Sequence, residues 1–259
     1  MHSAVVIAIG NELLNGYTLN SNLKDISQEL TLIGYTVKRG LVVRDDLSEI
    51  SWAISVGIES DLVVTTGGLG PTFDDITSSS VAAHLGLRYV ENKEARKLLE
   101  VWYSSINEEM TEDRLKMAMM PEGATAVINT EGAAPGILLR HGDTTILSLP
   151  GVPREALAML KSVRDSISVP DVVNMERIYT IDGGMESRIA PVIRKAMKQL
   201  SGKVYIKSHP EESEAGKPGI TLQITSSGPD SGTVQKNLDD AQKILRELLL
   251  EMGHVMLLT

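Results

Sequence analysis

Within its first 65 residues the chain alternates short apolar, β-branched runs with stretches whose apolar residues recur at helical spacing, and that alternation leaves few folds open. Ala4–Ile9 is short and apolar; Leu23, Ile26, Leu30 and Ile33 follow Asn20-Ser21-Asn22 at three- to four-residue intervals, with Gly34 as a C-terminal stop. Thr36–Val43 reads as a second strand, Leu47, Ile50, Ile54 and Ile58 line a second helix, and Asp61–Thr65 is a third strand. This βαβαβ order predicts an α/β fold: a mostly parallel sheet sandwiched by helices. Ligands of open α/β sheets sit beyond the carboxyl ends of the strands. Glu12, Asp45 and the loop 67–75 each follow a predicted strand, so all three are expected at one sheet edge.

That loop carries the densest chemistry. Thr65-Thr66-Gly67-Gly68-Leu69-Gly70-Pro71-Thr72-Phe73-Asp74-Asp75 joins a buried strand, a glycine-rich turn and two adjacent carboxylates, and a helix is expected from Ser78 to Leu85. Glycines at a strand-to-helix turn let backbone N–H groups approach an anion closely. Asp74 and Asp75, expected at the helix start, suit the helix dipole but repel a bare phosphate; a divalent cation between carboxylate and phosphate reconciles the two. The competing reading is a tight turn with Asp74 as a plain N-cap.

Farther along, residues 92–120 form a charged stretch of lower apolar content, read as a helical excursion that is either a solvated helical pair or an arm for a partner subunit. Thr125–Ile128, Gly136–Leu139 and Thr144–Leu149 read as strands, His141-Gly142-Asp143 as a hairpin turn, and Pro153 to Ile167 as a closing helix. Val169-Pro170-Asp171 marks a boundary between a first domain, 1–168, and a second, 171–259. The second shows the order βαββαβ with a polar loop at Glu211–Pro218, which predicts a small ferredoxin-like α+β domain.

Composition narrows the function classes. The 259 residues contain one Phe, two Trp and six Tyr against eleven Met, so the core must be aliphatic. The absence of cysteine excludes disulfides and thiolate metal sites and fits a reducing, cytoplasmic setting. Residues 1–170 hold 14 Lys and Arg against 22 Asp and Glu, while 171–259 hold 11 against 12. That balance argues against a nucleic-acid partner, and neither a signal peptide nor a membrane span is indicated. The five histidines show no metalloprotease spacing, no serine sits in a G-x-S-x-G elbow, and the glycine loop is not G-x-G-x-x-G.

The glycine loop resembles the TGG-x-G-x-x-x-x-D signature of the molybdopterin-binding fold, shared by the MogA, MoaB and MoeA group and by the CinA (competence-damage-inducible) family. Four further segments resemble CinA: Gly10-Asn11-Glu12-Leu13-Leu14-Asn15-Gly16, Asn20-Ser21-Asn22, Asn129 through Gly136, and Leu149-Pro150-Gly151-Val152-Pro153-Arg154-Glu155. Arg44-Asp45-Asp46 falls where that family has V-x-D. Ala133 departs from the usual Thr, so any hydroxyl contact there is lost. The resemblance covers about residues 3 to 168. It implies metal-dependent hydrolysis of a nucleotide pyrophosphate such as ADP-ribose, with FAD as another substrate. Asp75, Glu12 and Asp45 would be catalytic and hold Mg²⁺ or a similar cation. Gly67, Gly68 and Gly70 would cradle phosphates, with Thr66, Thr72, Asn22, Pro150 and Gly151 as further ligand contacts. The resemblance also implies a dimer or trimer, and the absence of the nicotinamide-mononucleotide deamidase domain that many such chains carry. The alternative is a non-catalytic module that binds molybdopterin or a nucleotide. On local grounds Glu12 competes as a cap for the short helix after it, whereas Asp46 is the better cap for the helix at Leu47, which leaves Asp45 free.

Overall fold

A computed structural model describes residues 2–182, 185–212 and 218–258. The chain divides into two compact units, one of Met1–Thr31 with Tyr35–Val169 and one of Leu32–Gly34 with Pro170–Thr259.

The first unit is built on strands β1 (Ser3–Ile9), β2 (Thr36–Val43), β3 (Leu62–Thr66), β4 (Tyr89–Glu91), β5 (Met119–Pro121), β6 (Thr125–Val127), β7 (Gly136–His141) and β8 (Thr144–Leu149). Six of them form one sheet in the order β2-β1-β3-β8-β7-β6. The pairs β1–β2, β1–β3 and β3–β8 are parallel, and β7 runs antiparallel to β8 and β6. Every residue of β1 and β3 is buried, as expected of central strands covered on both faces. Edge strand β2 exposes Lys38 and Arg39 instead, charges that discourage pairing with another chain. One face packs Ile50, Ala53, Ile54 and Val81 from the Leu47–Gly57 and Thr77–His84 helices onto Val5, Ile7, Val63 and Ile146. The β7–β8 hairpin turns at Gly142-Asp143, where Gly142 takes φ 57°.

Residues 92–120 depart from a solvated helical pair. The Lys93–Ser105 helix buries Ala95, Leu99 and Tyr103 in a second core with Leu69, Met117, Met120 and Ile137. Beyond a short Glu112–Leu115 helix, β5 closes an antiparallel ribbon with β4. Three-residue strands carry too little alternation to register in sequence. The expected helix from Pro153 to Ile167 is also two, Pro153–Ser162 and Arg164–Ile167, separated at Val163.

Two neighbouring hydroxyls of the sheet lack partners among the described residues. Thr65 and Ser148 face each other across the β3–β8 ladder, are 0% and 1% exposed, and their side-chain oxygens bond to nothing among the described residues. An orphaned buried hydroxyl costs roughly 1–3 kcal/mol, so Thr65→Val, which keeps the shape, should stabilise the protein by about 1 kcal/mol. A lower urea midpoint for the variant would contradict this.

The second unit comprises β9 (Val173–Asp182), β10 (Val204–Glu212), β11 (Pro218–Gly228) and β12 (Met256–Leu258), with helices Glu186–Gln199 and Ser231–Leu250. Its antiparallel sheet has the order β10-β11-β9-β12, the split βαβ arrangement of a ferredoxin-like unit. Tyr179, Ile181, Leu222 and Ile224 pack against Ile189, Ala196, Leu238 and Leu245 of the helices. The expected polar loop at 211–218 is narrower, since strand pairing extends to Glu212 and resumes at Pro218; residues 213–217 lie outside the described residues. No helix among the described residues is long and apolar enough to cross a membrane.

Candidate functional site

The carboxyl ends of β1, β2, β3 and β8 open onto a cleft of about 450 Å³. Glu12, Asp45, Gly67, Gly68, Gly70, Thr72, Asp75, Pro150 and Gly151 all line it.

Its floor is the glycine turn. Gly67 takes φ 104°, and a Cβ there would penetrate the Ile9 carbonyl oxygen. Gly68 takes φ 67°, where a Cβ would run into the Thr77 hydroxyl, and that hydroxyl donates to the Gly67 carbonyl at 2.8 Å. The Gly67 N–H donates to the Leu149 carbonyl. Among the described residues, by contrast, the N–H groups of Gly68, Leu69 and Gly70 make no hydrogen bond, which leaves three successive donors beside the cleft.

Asp74 and Asp75 do not start the following helix. It begins at Thr77 with Ile76 in the capping position and no side-chain cap, so Asp74 is not its N-cap. Both carboxylates instead fold back on their own loop. Asp75 Oδ2 accepts from the Thr72 N–H at 2.8 Å, and the Thr72 hydroxyl lies between the two aspartates, able to donate to one at a time. Lys116 donates to the Thr72 carbonyl. The Thr72 hydrogen bond, aided by Lys116, holds the Asp74 carboxyl below its usual range.

Across the cleft, Asp45 Oδ2 accepts the Asn11 N–H at 2.8 Å and ties the end of β2 to the turn after β1. Asp46 is the helix cap, taking the N–H groups of Ser48 and Glu49. Glu12 caps nothing: the Asn11–Leu14 turn has Gly10 at its cap position, over which the Glu12 carboxylate folds. Partial burial and the charges of Glu12 and Asp74 push the Asp45 carboxyl above its usual range, although the Asn11 N–H opposes this. A raised acid pKa means that folding favours the protonated form, so this contribution is full below the unfolded value near 3.8 and is lost as pH rises through the folded pKa. Asp45→Asn should therefore leave the melting temperature unchanged near pH 3 and raise it at pH 7. A variant less stable than wild type at pH 7 would contradict the cost of holding this partly buried, acid-flanked carboxylate ionised.

Two of the expected contacts lie elsewhere. Thr66 and Asn22 are buried outside the main cleft, beside a small neighbouring cavity of about 60 Å³. Asn22 donates to Thr66 Oγ1 and to the Gly151 carbonyl, and Thr66 donates to the Pro150 carbonyl, each at 2.8 Å. They brace β3, the Ser21–Leu32 helix and the 150–151 turn against one another. The structure also brings in residues that the sequence reading did not select. Asp74 and Glu155 line the cleft, as do Leu69, Tyr103, Met117, Ala133 and Ala134, which form an apolar wall. Glu155 and Asn129 stood within recognised motifs, whereas nothing local in the sequence marked Lys116, Tyr103 or Met117.

Among the described residues, no group of three or more His, Asp or Glu side chains is arranged to hold a metal ion. Mg²⁺ can also be bound in another mode, in which one or two carboxylates and ligand oxygens share the ion with water.

A glycine turn at the carboxyl edge of a mostly parallel sheet, opening onto an acidic cleft with one apolar wall, defines a class of open α/β ligand-binding domains. Residues 5–168 match the family described as "Probable molybdopterin binding domain", and the chain belongs to that family. Related proteins from Caldivirga maquilingensis (41% identical over 239 residues, 92% of this chain and 93% of the relative) and Thermoplasma acidophilum (39% over 254 residues, 98% of each) extend the similarity through the second unit. A crystal structure of the T. acidophilum protein CinA, whose function is given as unknown, superposes with a TM-score of 0.60 at 42% identity, covering 64% of this chain and 97% of that one.

Proposed function

We propose that the cleft binds a phosphorylated heterocyclic ligand, a pterin or a nucleotide, and that with a divalent cation it hydrolyses a nucleotide pyrophosphate of the ADP-ribose or FAD type. The observation that carries the reading is the juxtaposition of three uncommitted N–H donors, at Gly68, Leu69 and Gly70, with the carboxylates of Glu12, Asp45 and Asp75 around one cleft. Backbone donors of this kind suit phosphate oxygens. The carboxylates alone would repel a phosphate, and mutual repulsion at Asp45 is relieved by a cation. When bound, such an ion would polarise a phosphoryl oxygen and lower the pKa of an attacking water. The chain's own part is to hold the phosphates on the glycine turn, to orient Asp75 through Thr72 and Asp45 through Asn11, and to receive the ring on the apolar wall.

The test is release of AMP from ADP-ribose, with FAD in parallel, in Mg²⁺ and in excess EDTA. Turnover should require the metal. Tight binding without turnover in either condition would leave the second reading, a module that holds a pterin or nucleotide; the lack of a three-carboxylate metal cage among the described residues favours that alternative. The family and CinA resemblance supports a dimer or trimer, which light scattering would establish.

A further inference from the structure

We propose that Glu155 reads the ribose hydroxyls of the bound nucleotide, which makes it a specificity-determining residue of the cleft. The inference rests on the nucleotide reading above.

Glu155 lies in the first turn of the Pro153–Ser162 helix, half-buried, with its carboxylate in the cleft lining. Three features place it. Asn129, only 8% exposed, donates to Glu155 Oε2 at 2.8 Å. The Asn129 amide cannot turn over, because its Oδ1 accepts the Glu131 N–H and its Nδ2 also donates to the Ala134 carbonyl. Gly132 leaves the room: a Cβ there would run into the Glu155 carboxylate. The second oxygen, Oε1, accepts no hydrogen bond from a described residue, and no Lys or Arg forms an ion pair with Glu155 among them.

A carboxylate that only braced the 129–134 loop would need just the oxygen that accepts the Asn129 amide and would have no use for the second. An ionised carboxylate is acceptor-only, so a ligand group that meets this second oxygen must be a donor. It lines the same cleft as the glycine turn and as the apolar residues Leu69, Tyr103 and Met117. In a nucleotide the group between phosphates and ring is the ribose, whose vicinal hydroxyls supply paired donors. Carboxylate-to-hydroxyl pairing of this kind also recognises ribose in dinucleotide folds. The same charge would repel a ligand phosphorylated at the 2′ position.

Calorimetric titration of the full chain with ADP and with 2′-deoxy-ADP, in Mg²⁺, tests this. Wild type should bind ADP at least about tenfold more tightly, the scale of one hydrogen bond to a charged acceptor. Glu155→Gln removes the charge, and Gly132→Ala displaces the carboxylate without altering it. Either change should bring the two affinities to within about threefold by weakening ADP alone, on that same scale. Equal wild-type affinities, or variants that weaken both ligands alike, would overturn the ribose role while leaving the nucleotide reading intact. Failure of wild type to bind either nucleotide would overturn both.

Discussion

Asp75→Asn should lower metal-dependent turnover of ADP-ribose by at least ~100-fold while leaving the fold in place. The substitution is chosen because Asp75 has two tasks in the structure. Its Oδ2 accepts the Thr72 N–H, a structural bond that the carbonyl of Asn can also accept. Its charge faces the same cleft as the glycine turn, and that charge is what Asn removes. Loss of a carboxylate that orders a cation against a developing phosphoryl charge is worth a few kcal/mol of transition-state stabilisation, which corresponds to factors of ~100 or more. Asp74→Asn is the control. Asp74 is exposed, has Lys116 as a nearby counter-charge, and caps no helix, so its replacement should change turnover by less than about fivefold, as is usual for an exposed screened charge. Equal effects from the two substitutions, or turnover unaltered in EDTA, would remove Asp75 from the metal role and put the binding-only reading ahead.

Gly67→Ala should be the most damaging single-methyl change in the first unit. At φ 104° an alanine is strained in any surroundings, and here its Cβ would also collide with the Ile9 carbonyl, a backbone atom of a fully buried strand that cannot step aside. Strained backbone of this kind costs roughly 1–3 kcal/mol, and the collision adds to it. We expect a loss of about 3 kcal/mol or more, which for a unit of this size lowers the melting temperature by ~6–12 °C. Ligand affinity should fall with it, because relief of the clash moves the N–H groups of Gly68 to Gly70. Gly151→Ala separates this effect from a general intolerance of side chains at the cleft. A Cβ at 151 meets only the Gly67 Cα, at 3.5 Å, so stability should change by less than about 0.5 kcal/mol. A Gly67→Ala protein that melts with wild type would show that the turn is free to relax.

Much of the sheet was legible because hydrophobic period and burial coincide in it. β1 and β3 carry the apolar runs Ala4–Ile9 and Leu62–Val64 because both of their faces are covered, and the Ser21–Leu32 helix announces itself through Ile26 and Leu30, both buried. Where burial is decided by distant partners, the reading thinned. The Lys93–Ser105 helix looks solvated because five of its thirteen residues are charged, yet Leu99 and Tyr103 find a core supplied by Leu69 and Met117. The aspartates after the glycine turn look like helix caps because they stand about where a helix would begin. The Thr72 side chain and N–H draw both back into the loop, and the helix starts two residues beyond Asp75.

By itself the sequence determined the order of the central strands and their helices, the glycine turn and the edge of the sheet at which Glu12, Asp45 and Asp75 gather, since chain connectivity and local geometry dictate where each strand must end. Only the tertiary structure decided which polar groups face the cleft and which are consumed in holding it. Asn22 and Thr66 spend their hydrogen bonds on Gly151 and Pro150, while Glu155, more than 140 residues from Glu12, is held at the cleft by Asn129 and the missing side chain of Gly132. Hydrogen-bond commitments of this kind depend on distances between segments far apart in the chain, and no local pattern of residues encodes them.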